Sequence, residues 1–193
     1  MKKVLLALVV LATGVAANAQ KVNFGVKGGY NLSMVNVSGG NVDLNALSTF
    51  HLGGLVNLPL KNNLSLQPQL LLSGKGTKQK DGEHYDNFSF LSIDIPVNLV
   101  YSFKNGLFLG AGPNIGVALS GKEGHNKQKS NFGTNAGEWN RLEFGANALV
   151  GYKLKNKLFF SANYTAGLSD WDNYSSTKWR NSVLGVSVGY FFN

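Results

Sequence analysis

The stretch Leu184-Gly185-Val186-Ser187-Val188-Gly189-Tyr190-Phe191-Phe192 decides the fold. Apolar side chains fall on alternate positions (Leu184, Val186, Val188, Tyr190, Phe192), with Gly185, Ser187 and Gly189 between them. A period of two is the side-chain repeat of an extended strand, so one face is apolar and the other small or polar. The same pattern recurs along the chain from residue 22 onward. A soluble sandwich also alternates, but its apolar faces meet in a shared core. Here an export signal comes first and the apolar faces end in aromatic residues. That combination predicts a membrane β-barrel whose apolar face lies against lipid.

The export signal occupies residues 1–19. Lys2 and Lys3 form a positive start, residues 4–12 an apolar run, and Ala17-Asn18-Ala19 places small residues at the two positions a signal peptidase reads. The apolar run falls short of the roughly 20 residues a spanning helix needs. Cleavage is expected after Ala19, leaving residues 20–193 as one barrel domain. The chain has no cysteine, which excludes disulfides, thiolate metal sites and lipid attachment through a processed cysteine. Two of the 18 basic residues leave with the signal, so the mature chain carries 16 basic against 10 acidic residues, a net charge of +6. No concentrated basic stripe accompanies this charge, which argues against nucleic acid as a partner.

Eight alternating segments cover 22–32, 50–60, 64–72, 89–103, 107–119, 141–154, 158–168 and the closing stretch. The sixth is the clearest: Leu142, Phe144, Ala146, Ala148, Val150, Tyr152 and Leu154 oppose Glu143, Gly145, Asn147, Gly151 and Lys153. Each run is about ten residues or slightly more, the length a tilted strand needs to cross the hydrocarbon layer. Connections alternate in kind. Lys61-Asn62-Asn63, Lys104-Asn105-Gly106 and Lys155-Asn156-Lys157 are short polar turns, while 33–49, 74–88, 120–140 and 169–178 are long. Short turns on one side and long loops on the other are the pattern of outer-membrane barrels, the short side being periplasmic. Tyr101, Phe103, Tyr152, Phe160, Tyr190 and Phe192 are expected to ring the periplasmic boundary, with Tyr30, Phe50, Trp139 and Trp179 toward the other.

An eight-stranded barrel is just wide enough for its side chains to fill. The inward parity selects His51, Asn57, Gln67, Gln69, Asp94, Asn98, Asn114, Glu143, Asn147 and Asn163, with Lys27 from the first strand. Buried charges must be paired. Lys27, with Arg141 nearer the outer rim, is expected to offset Asp94 and Glu143, so that replacing both carboxylates by amides leaves a folded barrel. Pro68, Pro96 and Pro113 interrupt strands and predict bulges or local bends. The loop lysines, Lys75 among them, alternate with acidic residues and read as a solvated face, or as contacts for lipopolysaccharide phosphates.

Catalytic signals are sparse. His51, His84 and His125 stand at no metal-ligand spacing, and no cofactor motif occurs. A lipid-modifying enzyme at the rim would need Ser89 or Ser130 to approach His84 or His125, which sequence does not show.

Phe24-Gly25-Val26-Lys27-Gly28-Gly29-Tyr30-Asn31-Leu32-Ser33, Ile93-Asp94-Ile95-Pro96-Val97-Asn98-Leu99, Gly110-Ala111-Gly112-Pro113 and the closing Val188-Gly189-Tyr190-Phe191-Phe192 resemble the small outer-membrane β-barrel family, the "porin family" or outer membrane protein beta-barrel domain, of OmpX and OmpA-transmembrane type. The resemblance implies a closed barrel, and Tyr190 and Phe192 as an aromatic signal for the barrel-assembly machinery, although Asn193 follows them here.

The expectation is therefore an all-β, eight-stranded antiparallel up-and-down transmembrane β-barrel, monomeric, in a bacterial outer membrane. It has no cofactor and no enzymatic role. Its partners are outer-membrane lipid, lipopolysaccharide, the assembly machinery and an extracellular ligand at its four long loops. A narrow channel for small solutes or ions is the alternative, and a rim enzyme acting on lipid a second.

Overall fold

Strand follows strand with no helix among the described residues of the computed structural model, which are 22–38, 44–81, 84–123, 128–129, 132, 139–170 and 178–192. Eight long strands are β1 (Asn23–Ser38), β2 (Leu44–Pro59), β3 (Leu64–Asp81), β4 (His84–Ser102), β5 (Leu107–Glu123), β7 (Leu142–Lys153), β8 (Leu158–Gly167) and β9 (Lys178–Phe191). The two-residue β6 (Gln128–Lys129) only pairs antiparallel with the last residues of β5. Each long strand pairs antiparallel with the next, and β9 returns to β1 over a register running from Gly25↔Phe191 to Ser38↔Lys178. Closure leaves no open edge, which is what a sheet needs when no water is present to satisfy its backbone.

The alternation reads as predicted. Phe24, Val26, Leu52, Leu70, Leu99, Leu109, Phe144, Val150, Phe160, Val186 and Val188 are all exposed on the outer wall. Such a band would be an aggregation hazard in water and is the normal face of a barrel in lipid. Tyr101–Phe103 and Tyr190–Phe192 stack edge to face at 4.9 and 5.9 Å near its short-turn end.

The three short turns form as expected. Asn62 (φ 57°), Asn63 (φ 65°), Gly106 (φ 97°) and Lys157 (φ 70°) supply the positive angles that tight hairpins require. Three of the other connections, at 33–49, 74–88 and 120–140, are shorter than their sequence suggests, because strands run on into them, whereas that between Gly167 and Lys178 keeps its length. The segment 74–88 is mostly β3 and β4, paired as far as Asp81↔His84. Beyond the hydrocarbon layer no apolar face is needed, so hydrophobic alternation fades while the hydrogen-bonded ladder continues.

The prolines make no bulges. Register is constant through Pro68, Pro96 and Pro113, and the two register shifts lie at Ala46/His51 and Leu91/Ser92. Each proline instead opens a two-pair gap in one ladder: Pro68 between β2 and β3, Pro96 between β3 and β4, Pro113 between β4 and β5. A missing N–H removes a ladder bond without displacing the strand. At the third gap the backbones close up: a Cβ on Gly112 would sit 1.9 Å from the carbonyl oxygen of Val97.

Inside, the lumen is layered. Leu55, Val100, Phe108, Leu149, Phe159 and Phe191 form one buried apolar cluster near the short-turn end. Phe159 packs against Phe108 at 6.2 Å and Phe191 at 4.9 Å between ring centroids. Above this plug the lumen lining is mostly polar, with Leu71 and Val183 as apolar members.

Candidate functional site

One ladder row sets the charged layer: Lys27, Gly53, Leu71, Asp94, Gly116 and Glu143 are successive partners from β1 to β7. All face inward. The glycines create the space the charges need. A Cβ on Gly116 would stand 2.8 Å from Asp94 Oδ1 and 3.2 Å from Lys75 Nζ. Lys75, from β3, reaches into that space and bridges both carboxylates, at 2.7 Å from Asp94 Oδ1 and 3.2 Å from Glu143 Oε2. Ser92 Oγ adds a hydrogen bond to Asp94 at 3.3 Å.

This corrects the expected pairing. The ion-pair partner shared by Asp94 and Glu143 is Lys75, which is 1% exposed and no part of a solvated loop. Lys75 continues the inward parity of Gln67, Gln69, Leu71 and Ser73, one step beyond the end of the apolar alternation at Leu72. Arg141 stands exposed at the outer rim with its guanidinium 6.0 Å from the centre of the Phe132 ring. Lys27 is 5% exposed and faces a small cavity shared with His51, Gln69, Asn114, Asn147, Asn163 and Thr165. Its ladder neighbours Gly53 and Gly189 carry no side chain, and none of the ion pairs among the described residues includes it.

Hydrogen bonds knit the polar layer within and across strands. Gln69 donates to Gln67 at 3.0 Å, Asn147 to Asn98 at 2.8 Å, and Thr165 to Asn147 at 2.8 Å. His51 bonds Asn31 Oδ1 through Nδ1 and Ser187 Oγ through Nε2, both at 2.7 Å. The Asn31 amide nitrogen points at the carbonyls of Phe50 and Gly74, so its oxygen faces His51 and fixes the hydrogen on Nδ1. In the neutral ring, Nε2 then accepts from Ser187. The order serine, histidine, asparagine is that of a nucleophile, base and orienting group. Here it lies shut inside the barrel: Ser187 is 7% exposed and the nearby lumen cavity of ≈ 20 Å³ holds little more than one water. An ester has no room to reach it. Asn31 and Ser187 were not among the residues singled out from sequence, although both lie on the inward parity of their strands.

The rim pairs of serine and histidine considered from sequence fall largely outside the described residues, which include neither His125 nor Ser130 nor the side chain of His84. Trp139 is not on the outer girdle; it joins Phe88, Phe90 and Phe132 in a pocket inside the outer mouth. At the closing seam, Tyr190 and Phe192 lie on the lipid face, and the Phe192 N–H donates to Phe24 O at 2.8 Å.

A closed eight-stranded antiparallel barrel with a lipid-facing apolar wall and a filled polar interior is the architecture of a small outer-membrane barrel protein. The chain belongs to the outer membrane protein beta-barrel domain family, which matches residues 18–173. Its fold is similar to that of Neisserial surface protein A, NspA (TM-score 0.57, 14% identity, 89% of this chain and 99% of that one). It is also similar to Ail, the attachment invasion locus protein of Yersinia pestis, solved with the heparin analogue sucrose octasulfate (TM-score 0.53, 15% identity, 90% and 100%). No curated protein matches the chain.

Proposed function

We propose that this outer-membrane barrel is closed to solutes, has no catalytic role, and acts by interaction through the outer ends of its strand pairs. The carrying observation is the filled lumen, with a six-residue apolar plug at one end and the Lys75–Asp94–Glu143 layer above it. The hairpins opposite the short turns offer the accessible surface. Charge does not assign them the kind of ligand found with Ail: segments 33–49, 76–90, 119–141 and 169–182 carry eight basic and eight acidic residues. Lipopolysaccharide contact by these hairpins therefore rests on shape and hydrogen bonding more than on net charge. Export removes residues 1–19, so the intact mass of the protein recovered from outer membranes corresponds to a chain beginning at Gln20.

The absence of native cysteine makes a labelling test clean. Asn87→Cys, on β4 beyond the apolar band, reacts with a membrane-impermeant maleimide on intact cells, whereas Asn105→Cys, in a short turn, reacts only after the envelope is opened. Labelling of Asn105→Cys but not Asn87→Cys on intact cells would reverse the orientation and remove the hairpins as an outer interaction surface.

A further inference from the structure

By position in the sequence, the excess of positive charge in the mature chain falls in the short-turn segments and just ahead of β1. In the lumen Lys27 and Lys75 stand against Asp94 and Glu143, and the long-hairpin side is balanced. The remaining six basic residues are Lys21, Lys61, Lys104, Lys153, Lys155 and Lys157. Lys21 comes two residues before β1, the others lie in or beside the three short turns, and no Asp or Glu accompanies them.

Two of these turns form a groove. Because β5 pairs with β7, the turns at 103–106 and 154–157 are neighbours, and the Lys153 N–H donates to Gly106 O at 2.8 Å. The groove between them is open, ≈ 740 Å³, within the roughly 300–1,000 Å³ range of ligand clefts. Lys104, Lys153 and Lys155 line it together with Phe103, Tyr152 and Leu154. Lys104 and Lys155 are exposed, and Lys153 lies at the lumen mouth, 5.8 Å from the centre of the Phe191 ring. Phe103, Tyr152 and Leu154 are exposed and continue the lipid-facing wall.

We propose that this groove binds the headgroup phosphate of an anionic phospholipid in the periplasmic leaflet. A lipid whose chains lie along Phe103, Tyr152 and Leu154 brings its phosphate level with the lysines. The apolar wall is what selects a lipid over a soluble polyanion, and the absence of carboxylates is what selects an anion. The leaflet assignment rests on the orientation proposed above; binding in a symmetric bilayer does not, so the two ideas fail separately.

The folded barrel would be placed in nanodiscs of equal phosphatidylglycerol and phosphatidylcholine, and the lipids retained after partial delipidation counted by native mass spectrometry. Phosphatidylglycerol is retained in preference. Replacing Lys104→Gln and Lys155→Gln lowers that preference by about fivefold per lysine, the weight of one basic residue at an anionic membrane surface. Lys104→Arg with Lys155→Arg preserves it, and Lys78→Gln with Lys122→Gln, at the opposite end, leaves it unchanged. The heat-dependent gel shift of a folded barrel verifies each variant. Equal retention of the two lipids by the native protein overturns the proposal. So does an undiminished preference in the Gln variant, or an equal loss from the Lys78 and Lys122 changes.

Discussion

Lys75 is the residue on which the interior turns. Two carboxylates share one buried ammonium, and removing the shared member leaves both without their ion pair in the same layer. Lys75→Met is expected to destabilise the folded barrel by about 3–5 kcal/mol, the cost of breaking a buried pair from one side. Urea titration followed by the heat-dependent gel shift measures it. The same geometry revises the expectation that amides at both Asp94 and Glu143 are harmless: that double change strands Lys75 and should cost a similar amount. Gly112→Ala pushes a methyl group onto the Val97 carbonyl and is expected to cost at least about 1–3 kcal/mol, as overpacking does. At this scale the sequence was half legible. Parity placed Asp94, Glu143, Gln67, Gln69 and Asn147 inside, and all five are buried. It could not say which cation crosses the lumen to meet which acid, because that depends on strand stagger and on the empty space over Gly116.

The strands and turns were the most legible elements. Alternation located every membrane-crossing segment, and Lys-Asn located every short turn. The same turns carry a testable strain. Lys157 adopts φ 70° without the freedom of glycine or the local hydrogen bonding of asparagine. Lys157→Gly is therefore expected to stabilise the β7–β8 hairpin by about 1 kcal/mol, whereas Asn63→Ala (φ 65°) should destabilise its own turn by a similar amount. Equilibrium unfolding of the two variants checks both signs. Strand ends were less legible, since ladders such as Lys78↔Asn87 continue where no apolar face marks them. The prolines misled in a specific way: a missing donor can be absorbed as a gap in one seam, and three adjacent seams of this barrel each absorb one.

At the scale of the whole molecule, closure, stratified contents and segregated charge belong together. Eight strands leave an interior that side chains fill, and here they fill it as an apolar plug below and a paired polar layer above. Lys61, Lys104, Lys153, Lys155 and Lys157 stand exposed at the short-turn rim, where water and headgroups screen them. The class of protein was legible from period two, the export signal and the sorting of loops by length. Strand number alone only implied a closed lumen, and the proposal that it is sealed draws its support from the buried cluster that includes Phe108, Phe159 and Phe191.

The most direct test is single-channel recording of the mature barrel in planar bilayers, with folding verified by the heat-dependent gel shift. A sealed lumen predicts a silent baseline at all holding potentials that the membrane tolerates. Discrete, reproducible conductance steps from the native protein would contradict the account and make the lumen a path.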